Sequence, residues 1–409
     1  MISLPQELIE AIVGLVDDSD TLKACSLVCT TLVPVTQRIL LRSLCILQVG
    51  SGRWVDGQGP RGVLSIQRAR ACLQASPHIS SYVRHLKIRF TGPPLNASEH
   101  GPLESMLSTM NNIESLVICG SISASHSPLA LLPSFLAVLQ LPSIKLVGFL
   151  NIHAVPSAFL SLALISARVV LIQNIGLTLE PSGGPDLGLE PRLHAPQLGH
   201  LIFQGPIHAS VLNFFDSDFP QHLQHLHTLE VVMPPGSQTA SRIIIAATGT
   251  TLQYLMIDYG DCYRTRPNEG LQLPLLPALR SIELTLFLGW VRRLPQDLYL
   301  TMAAFPDVMP NIRRIRLAFV LDSLEQQVPW QDSGVFGLFD DRREWCLRLP
   351  RLRRVECRLQ LRPSESNPQT VQDAVFAEFS ASTEARFPGL RGTGILSLSR
   401  GVTLEEEQW

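Results

Sequence analysis

One arrangement of apolar positions recurs along most of this chain. It has the form L-x-x-L-x-L, where L stands for an apolar residue. The copies are VRHLKI (83–88), IESLVI (113–118), LGHLIF (198–203), LHTLEV (226–231), LQYLMI (252–257), LRSIEL (279–284), IRRIRL (312–317) and LRRVEC (352–357), with two weaker ones, IKLVGF (144–149) and ARVVLI (167–172). Their fourth positions fall at 86, 116, 147, 170, 201, 229, 255, 282, 315 and 355. In each copy the last two apolar positions lie two apart, which is strand alternation. Helical patterns separate the copies, as in LESMLSTM (103–110), PSAFLSLALISA (156–167) and VQDAVFAEF (371–379). Proline often stands just ahead of the strand, where it stops a helix and favours extended backbone before it. One unit is therefore a helix, a turn and a short strand, about 30 residues in all. Such a unit cannot bury both faces alone, so units stack and their strands form a parallel sheet. Two stretches rich in proline, glycine and serine, 180–196 and 362–369, are excursions from this array and not domain boundaries.

The first 44 residues follow a different period. Leu4, Leu8, Ile9, Ile12, Val13 and Val16 recur at helical spacing, with Pro5 near the first turn. DDSD (17–20) breaks that helix, a second apolar run follows from Leu22 to Leu32, and Pro34 can start a third helix ending at ILLRSL. Three short helices in so few residues make a marginal free domain, which should lean on a partner or a neighbour.

Composition adds limits. The chain has 409 residues, 45% of them hydrophobic, which is ample for a large core. A net charge of −2 does not favour nucleic acid or an anionic membrane as a partner. The eight cysteines are scattered, and MISLPQELIE lacks the basic start of a secretory signal. Free thiols without a signal point to a reducing compartment, cytoplasmic or nuclear. Residues 146–167 are long and apolar enough to raise a bilayer span. Asn151, His153, Pro156 and three serines interrupt them, so a strand followed by a buried helix is the expectation.

The candidate chemistry is thin. GQGPRG (57–62) has the letters of a phosphate-binding loop, but Pro60 removes an N–H that a phosphate cradle would use. HLQHLH groups His222, His225 and His227 without a nearby thiol, so solvent-exposed histidines are expected and no metal. Cys25 and Cys29 share a helix face without a second ligand pair, and small buried spacers are expected there. No nucleophile elbow, Walker loop, zinc-protease or kinase signature is present. The expectation is a protein without catalytic residues, cofactor or metal.

The strand half of the repeat resembles the leucine-rich-repeat family, although the asparagine usual after the third aliphatic is inconsistent and the spacing varies. The other assignment is an ordinary α/β domain. LPQELIEAIVGLV followed by TLKACSLVCTTLVPVTQRILLRSL resembles an F-box, through Leu4, Pro5, Glu7, Leu8, Ile9, Ile12, Leu22, Cys25, Ser26, Leu27, Val28, Cys29, Leu40 and Arg42. Leu32 and Leu41 stand where that family usually has aromatic residues. ACLQASPHISSYVRHLKIRF (71–90) is similar to the segment after the F-box in many fungal F-box proteins. The resemblance implies an α/β protein: a three-helix F-box at 1–44, then a leucine-rich-repeat-like solenoid with a parallel sheet at 45–409.

It further implies a substrate receptor of an SCF-type cullin–RING ubiquitin ligase, with the F-box on the adaptor subunit and the repeats on a protein substrate. Leu4, Pro5, Leu8 and Ile9 are the candidate adaptor contacts. Leu27, Val28 and Leu40 serve either that contact or the module's own core. The x of L-x-L and the residue after the motif point away from the helices. The candidate substrate surface is therefore Glu230, Asp258, Glu283, Arg316 and Arg358, its acidic middle suited to a basic segment of the partner. Two other functions stay open: a repeat scaffold whose F-box-like helices only cap the array, and an enzyme on an α/β domain.

Overall fold

A computed structural model describes residues 5–16, 18–48, 63–90, 97–122, 133–178, 198–205, 207–217, 223–232, 238–259, 272–287, 301–302, 304–321, 348–361, 369–386, 388–392 and 394–402. The chain divides into two compact units, Met1–Pro196 and Gln197–Trp409. The division falls at the end of the 180–196 stretch, which the repeat pattern treats as an excursion within one array.

The first unit begins with three helices, α1 (Gln6–Val13), α2 (Ser19–Val28) and α3 (Val33–Leu40). Strands β1 (Ser43–Gln48), β2 (Val63–Ser65), β3 (His85–Phe90), β4 (Ser115–Ile122), β5 (Leu146–Ile152) and β7 (Val169–Gln173) form a parallel sheet in the order β7-β5-β4-β3-β1-β2. A small parallel pair, β6 (Val155–Pro156) and β8 (Leu177–Thr178), lies beside it in sequence. Helices α4 (Ile66–Ala75), α5 (Ala97–Leu107), α6 (Pro133–Leu139) and α7 (Ser157–Ser166) connect the strands, each packing on the next. The apolar stretch 146–167 resolves into β5, β6 and the ten-residue α7, with Phe159, Leu160 and Leu164 buried. No helix among the described residues is long and apolar enough to cross a membrane.

The second unit holds seven parallel strands, β9 (His200–Gln204), β10 (Thr228–Val232), β11 (Tyr254–Asp258), β12 (Ser281–Phe287), β13 (Arg314–Leu321), β14 (Arg354–Leu361) and β15 (Leu396–Val402), ordered as they follow in sequence. Between them lie α8 (Ala209–Ser217), α9 (Gln238–Ala247), α10 (Phe305–Val308), α11 (Gln369–Arg386) and α12 (Pro388–Gly392). Edge-to-face ring pairs tie helix to sheet, Phe203 with Phe215 at 5.6 Å and Phe319 with Phe379 at 5.7 Å between centroids.

The repeat pattern accounts for both cores. All thirty apolar positions of the ten copies are buried, none more than 8% exposed. Their fourth positions pair directly across strands: Leu86, Leu116, Val147 and Val170 in the first unit, and Leu201, Leu229, Leu255, Ile282, Ile315 and Val355 in the second. A one-residue slip would turn each strand's apolar set to the wrong face, so burial fixes the register.

Backbone bonds repeat with the same phase. The carbonyl of the second residue of a copy accepts two N–H groups from the following one. Arg84 O takes Glu114 N and Ser115 N, Gln253 O takes Arg280 N and Ser281 N, and Arg313 O takes Arg353 N and Arg354 N. Polar side chains just ahead of the copies add stitches that the sequence pattern does not flag. Asn112 Nδ2 donates to Ser81 O, Ser143 Oγ to Ile113 O, Thr251 Oγ1 to Leu226 O and Asn311 Nδ2 to Pro277 O.

The ladder is longer than ten copies. Leu44 pairs with Leu86, and Arg42 O accepts from Arg84 N and His85 N, so LRSLCI (41–46) opens the series. Leu396 pairs with Val355 at the other end. The boundary expected after residue 44 thus falls inside β1, and α3 runs into the first strand within three residues.

Candidate functional site

Two regions collect the candidate residues. The first is the helical module, α1 to α3. Asp18 caps α2, accepting from Thr21 N at 2.7 Å and Thr21 Oγ1 at 2.6 Å. Those bonds hold its carboxyl below the ordinary aspartate range. Pro34 lies in the first turn of α3, where a missing N–H is harmless. The core consists of Val13, Leu22 and Val35, with Ile9, Val16, Leu32, Ile39 and Leu40 packed against it. Leu32 fills part of this core.

Much of the module's apolar surface faces solvent instead. Leu8 is 50% exposed, Ile12 56%, Leu15 82%, Leu27 87% and Val28 76%. Among the described residues only Leu275 and Val371 are further large apolar side chains of that exposure class, so the concentration here is specific to α1, the turn after it and α2. Leu8 and Ile12 lie four apart on one face of α1, and Leu15 follows in the turn that ends it.

The expected adaptor contacts separate accordingly. Pro5 is exposed, its carbonyl accepting from Leu8 N and Ile9 N as α1 begins. Leu8, Leu27 and Val28 are exposed, whereas Ile9 and Leu40 pack on the core. Leu4 lies outside the described residues. Ile12 and Leu15 join the exposed set; helical spacing from Leu8 was the signal for Ile12, and Leu15 lies in the turn past the helix.

Cys25 is half-buried, but Cys29 corrects the expectation of a small core spacer. It is exposed at the end of α2, its Sγ 3.0 Å from Thr31 Oγ1, and that contact lowers its pKa.

The second region is the sheet face of the second unit opposite the buried ladder. Register places Glu230, Met256, Glu283, Arg316, Glu356 and Ser397 in one row. Tyr254, Ser281, Arg314 and Arg354 form the row before it, and Asp258, Thr285, Ala318, Arg358 and Ser399 the row after. Glu283 accepts from Tyr254 Oη at 2.7 Å and from Arg316 Nη1 at 2.6 Å. Glu356 Oε2 accepts from Arg314, with Arg316 Nε at 3.4 Å and Arg354 Nη2 at 3.8 Å. Both glutamate side chains are only 7% exposed. Glu230 Oε1 meets His200 Nε2 at 3.0 Å.

These contacts set the charges. Burial alone would raise the Glu356 carboxyl, but the Arg314 bond and the charges of Arg316, Arg314 and Arg354 together hold it below its ordinary value. Burial would lower Arg316, and Glu283 with Glu356 outweigh that. Burial, then the negative charge of Glu283, push Tyr254 far above the ordinary phenol range, so it stays a donor.

The expected substrate surface is thus altered in character. Glu283 and Arg316 are paired with one another, and Glu230 is engaged by a histidine. Asp258 and Arg358 share a row three strands apart. Aligning the copies on their fourth positions was sufficient to put Glu283, Arg316 and Glu356 side by side. What the sequence did not disclose is that burial, not just proximity, makes the pairs obligatory.

No group of three or more metal-ligating side chains occurs among the described residues. His222 and GQGPRG lie outside them. No family model matches the chain, and no curated protein matches it.

Proposed function

We propose that this chain is a substrate receptor of an SCF-type cullin–RING ubiquitin ligase. The F-box-like helices of residues 1–44 take the adaptor subunit, and a leucine-rich-repeat-like solenoid from residue 45 takes the protein to be modified. The chain itself supplies no catalytic group; ubiquitin transfer belongs to other subunits. One observation carries this: a module with a three-residue buried core displays Leu8, Ile12, Leu15, Leu27 and Val28 to solvent. Each aliphatic side chain covered by a partner contributes about 1.5–3 kcal/mol. The F-box resemblance names a partner of matching kind, an adaptor with an apolar face.

A capping role is the second reading, favoured by the direct passage of α3 into β1 and by the Arg38 guanidinium 5.9 Å from the Tyr82 ring centroid. Capture of purified adaptor by the full chain, compared with a Leu8→Asp/Leu27→Asp variant, separates the two. The ligase reading expects capture by the parent and at least a tenfold loss in the variant. Equal capture by both, or none by the parent, leaves the capping role.

A further inference from the structure

The β12–β15 end of the second unit's outer sheet face carries the opposite sign to the acidic end, where Glu230 and Asp258 stand. Across β12–β15 it carries two carboxylates, Glu283 and Glu356, and four guanidiniums, Arg314, Arg316, Arg354 and Arg358. The carboxylates are buried beneath the arginines that hold them. The arginines are not buried to the same degree: the side chains of Arg314 and Arg354 are 38% and 50% exposed, and that of Arg316 is 21% exposed. Over β12–β15 the face therefore shows solvent an excess of two positive charges, while Glu230 and Asp258 keep its β10–β11 end acidic.

Arg358 adds a second, independent observation. It makes no hydrogen bond or ion pair among the described residues. Its guanidinium lies across β15 over Gly401, where a Cβ would come within 2.2 Å of Arg358 Nε and 2.7 Å of Cζ. Gly401 thus leaves the slot in which Arg358 rests, without an ion-pair partner among the described residues.

We infer that this face binds an acidic, carboxylate-bearing peptide segment of a protein partner. The arginine forks match carboxylates in geometry and charge. Glu283 and Glu356 keep the forks oriented before the ligand arrives, which reduces the ordering cost of binding. The inference rests on the repeat units being the partner-binding half of the receptor, but its test does not involve the adaptor.

The probe is a fluorescein-labelled hexaglutamate peptide, followed by anisotropy with the full chain. Binding should weaken as salt rises. Arg354→Gln and Arg358→Gln should each weaken it about tenfold. Gly401→Ala, which keeps every charge but closes the slot under Arg358, should weaken it similarly. Arg391→Gln, a matched charge loss outside the cluster, should leave it unchanged; Arg391 pairs with Glu384 on the neighbouring helix. Thermal melts of the variants report folding. Absence of binding by the parent chain overturns the inference. So does equal binding of a hexalysine peptide, or equal loss in Arg391→Gln. Binding of a phosphoserine peptide without binding of hexaglutamate overturns the carboxylate assignment. Loss of adaptor capture with peptide binding intact would instead count against the ligase reading alone.

Discussion

The helical module and the strand ladder solve the same problem in opposite ways. In the ladder, thirty apolar positions are buried because each unit covers the next. In the module, three apolar residues are buried while five large apolar side chains stand in water. Stacking supplies the ladder with its own partner at every step. The module's exposed apolar side chains have no such cover among the described residues. Apolarity is shared by both regions; what differs is how much of it is covered among the described residues.

The difference can be broken first where it is strongest. Leu255→Ala in the ladder should cost about 2–5 kcal/mol in denaturant unfolding, since neighbouring strands cannot collapse into the space. A cost under about 0.5 kcal/mol, the range of ordinary surface changes, would mean that the ladder is not a packed core.

Glu356→Gln tests the polar face of the same sheet. It should cost about 1.5–3 kcal/mol at neutral pH, because Arg314, Arg316 and Arg354 lose a charged acceptor. The folded-state pKa of Glu356 is depressed, so its contribution is full above the unfolded value of about 4.3 and fades as pH falls through the folded one. Parent and variant stabilities should therefore converge in acid. Parallel curves down to the acid limit would remove the ion-pair explanation.

The smallest effect on stability should come from the thiols. Cys29 is exposed with a lowered pKa, whereas burial pushes the Cys357 thiol up to about 12. At neutral pH iodoacetamide should modify Cys29 well before Cys357, without shifting the melting temperature. Peptide mapping of the alkylated chain reads this directly, and early labelling of Cys357 would contradict the buried ladder.

How much of this was legible in the sequence follows from range. The spacing of L-x-x-L-x-L is local, so it located the ten strands and, through register, the buried side of each. It missed LRSLCI because helical residues run straight into it, and Leu396 because no apolar residue precedes it at the motif's first position, Thr393. The outward charges were legible as neighbours once the copies are aligned, but the burial of Glu283 and Glu356 that makes them pairs was not. In the module, helical period found α1 and α2, yet period alone could not divide Ile9 and Leu40 from Leu8 and Leu27. That division depends on how three helices cross, which is tertiary information.

The exposed apolar set is the centre of the functional reading, and hydrogen exchange across the whole chain tests it most directly. Purified adaptor should slow exchange of amides in α1 and α2, since binding stabilises the residues it covers, while ladder amides change little. Unchanged exchange in α1 and α2 at saturating adaptor, or protection confined to the strands, would contradict it.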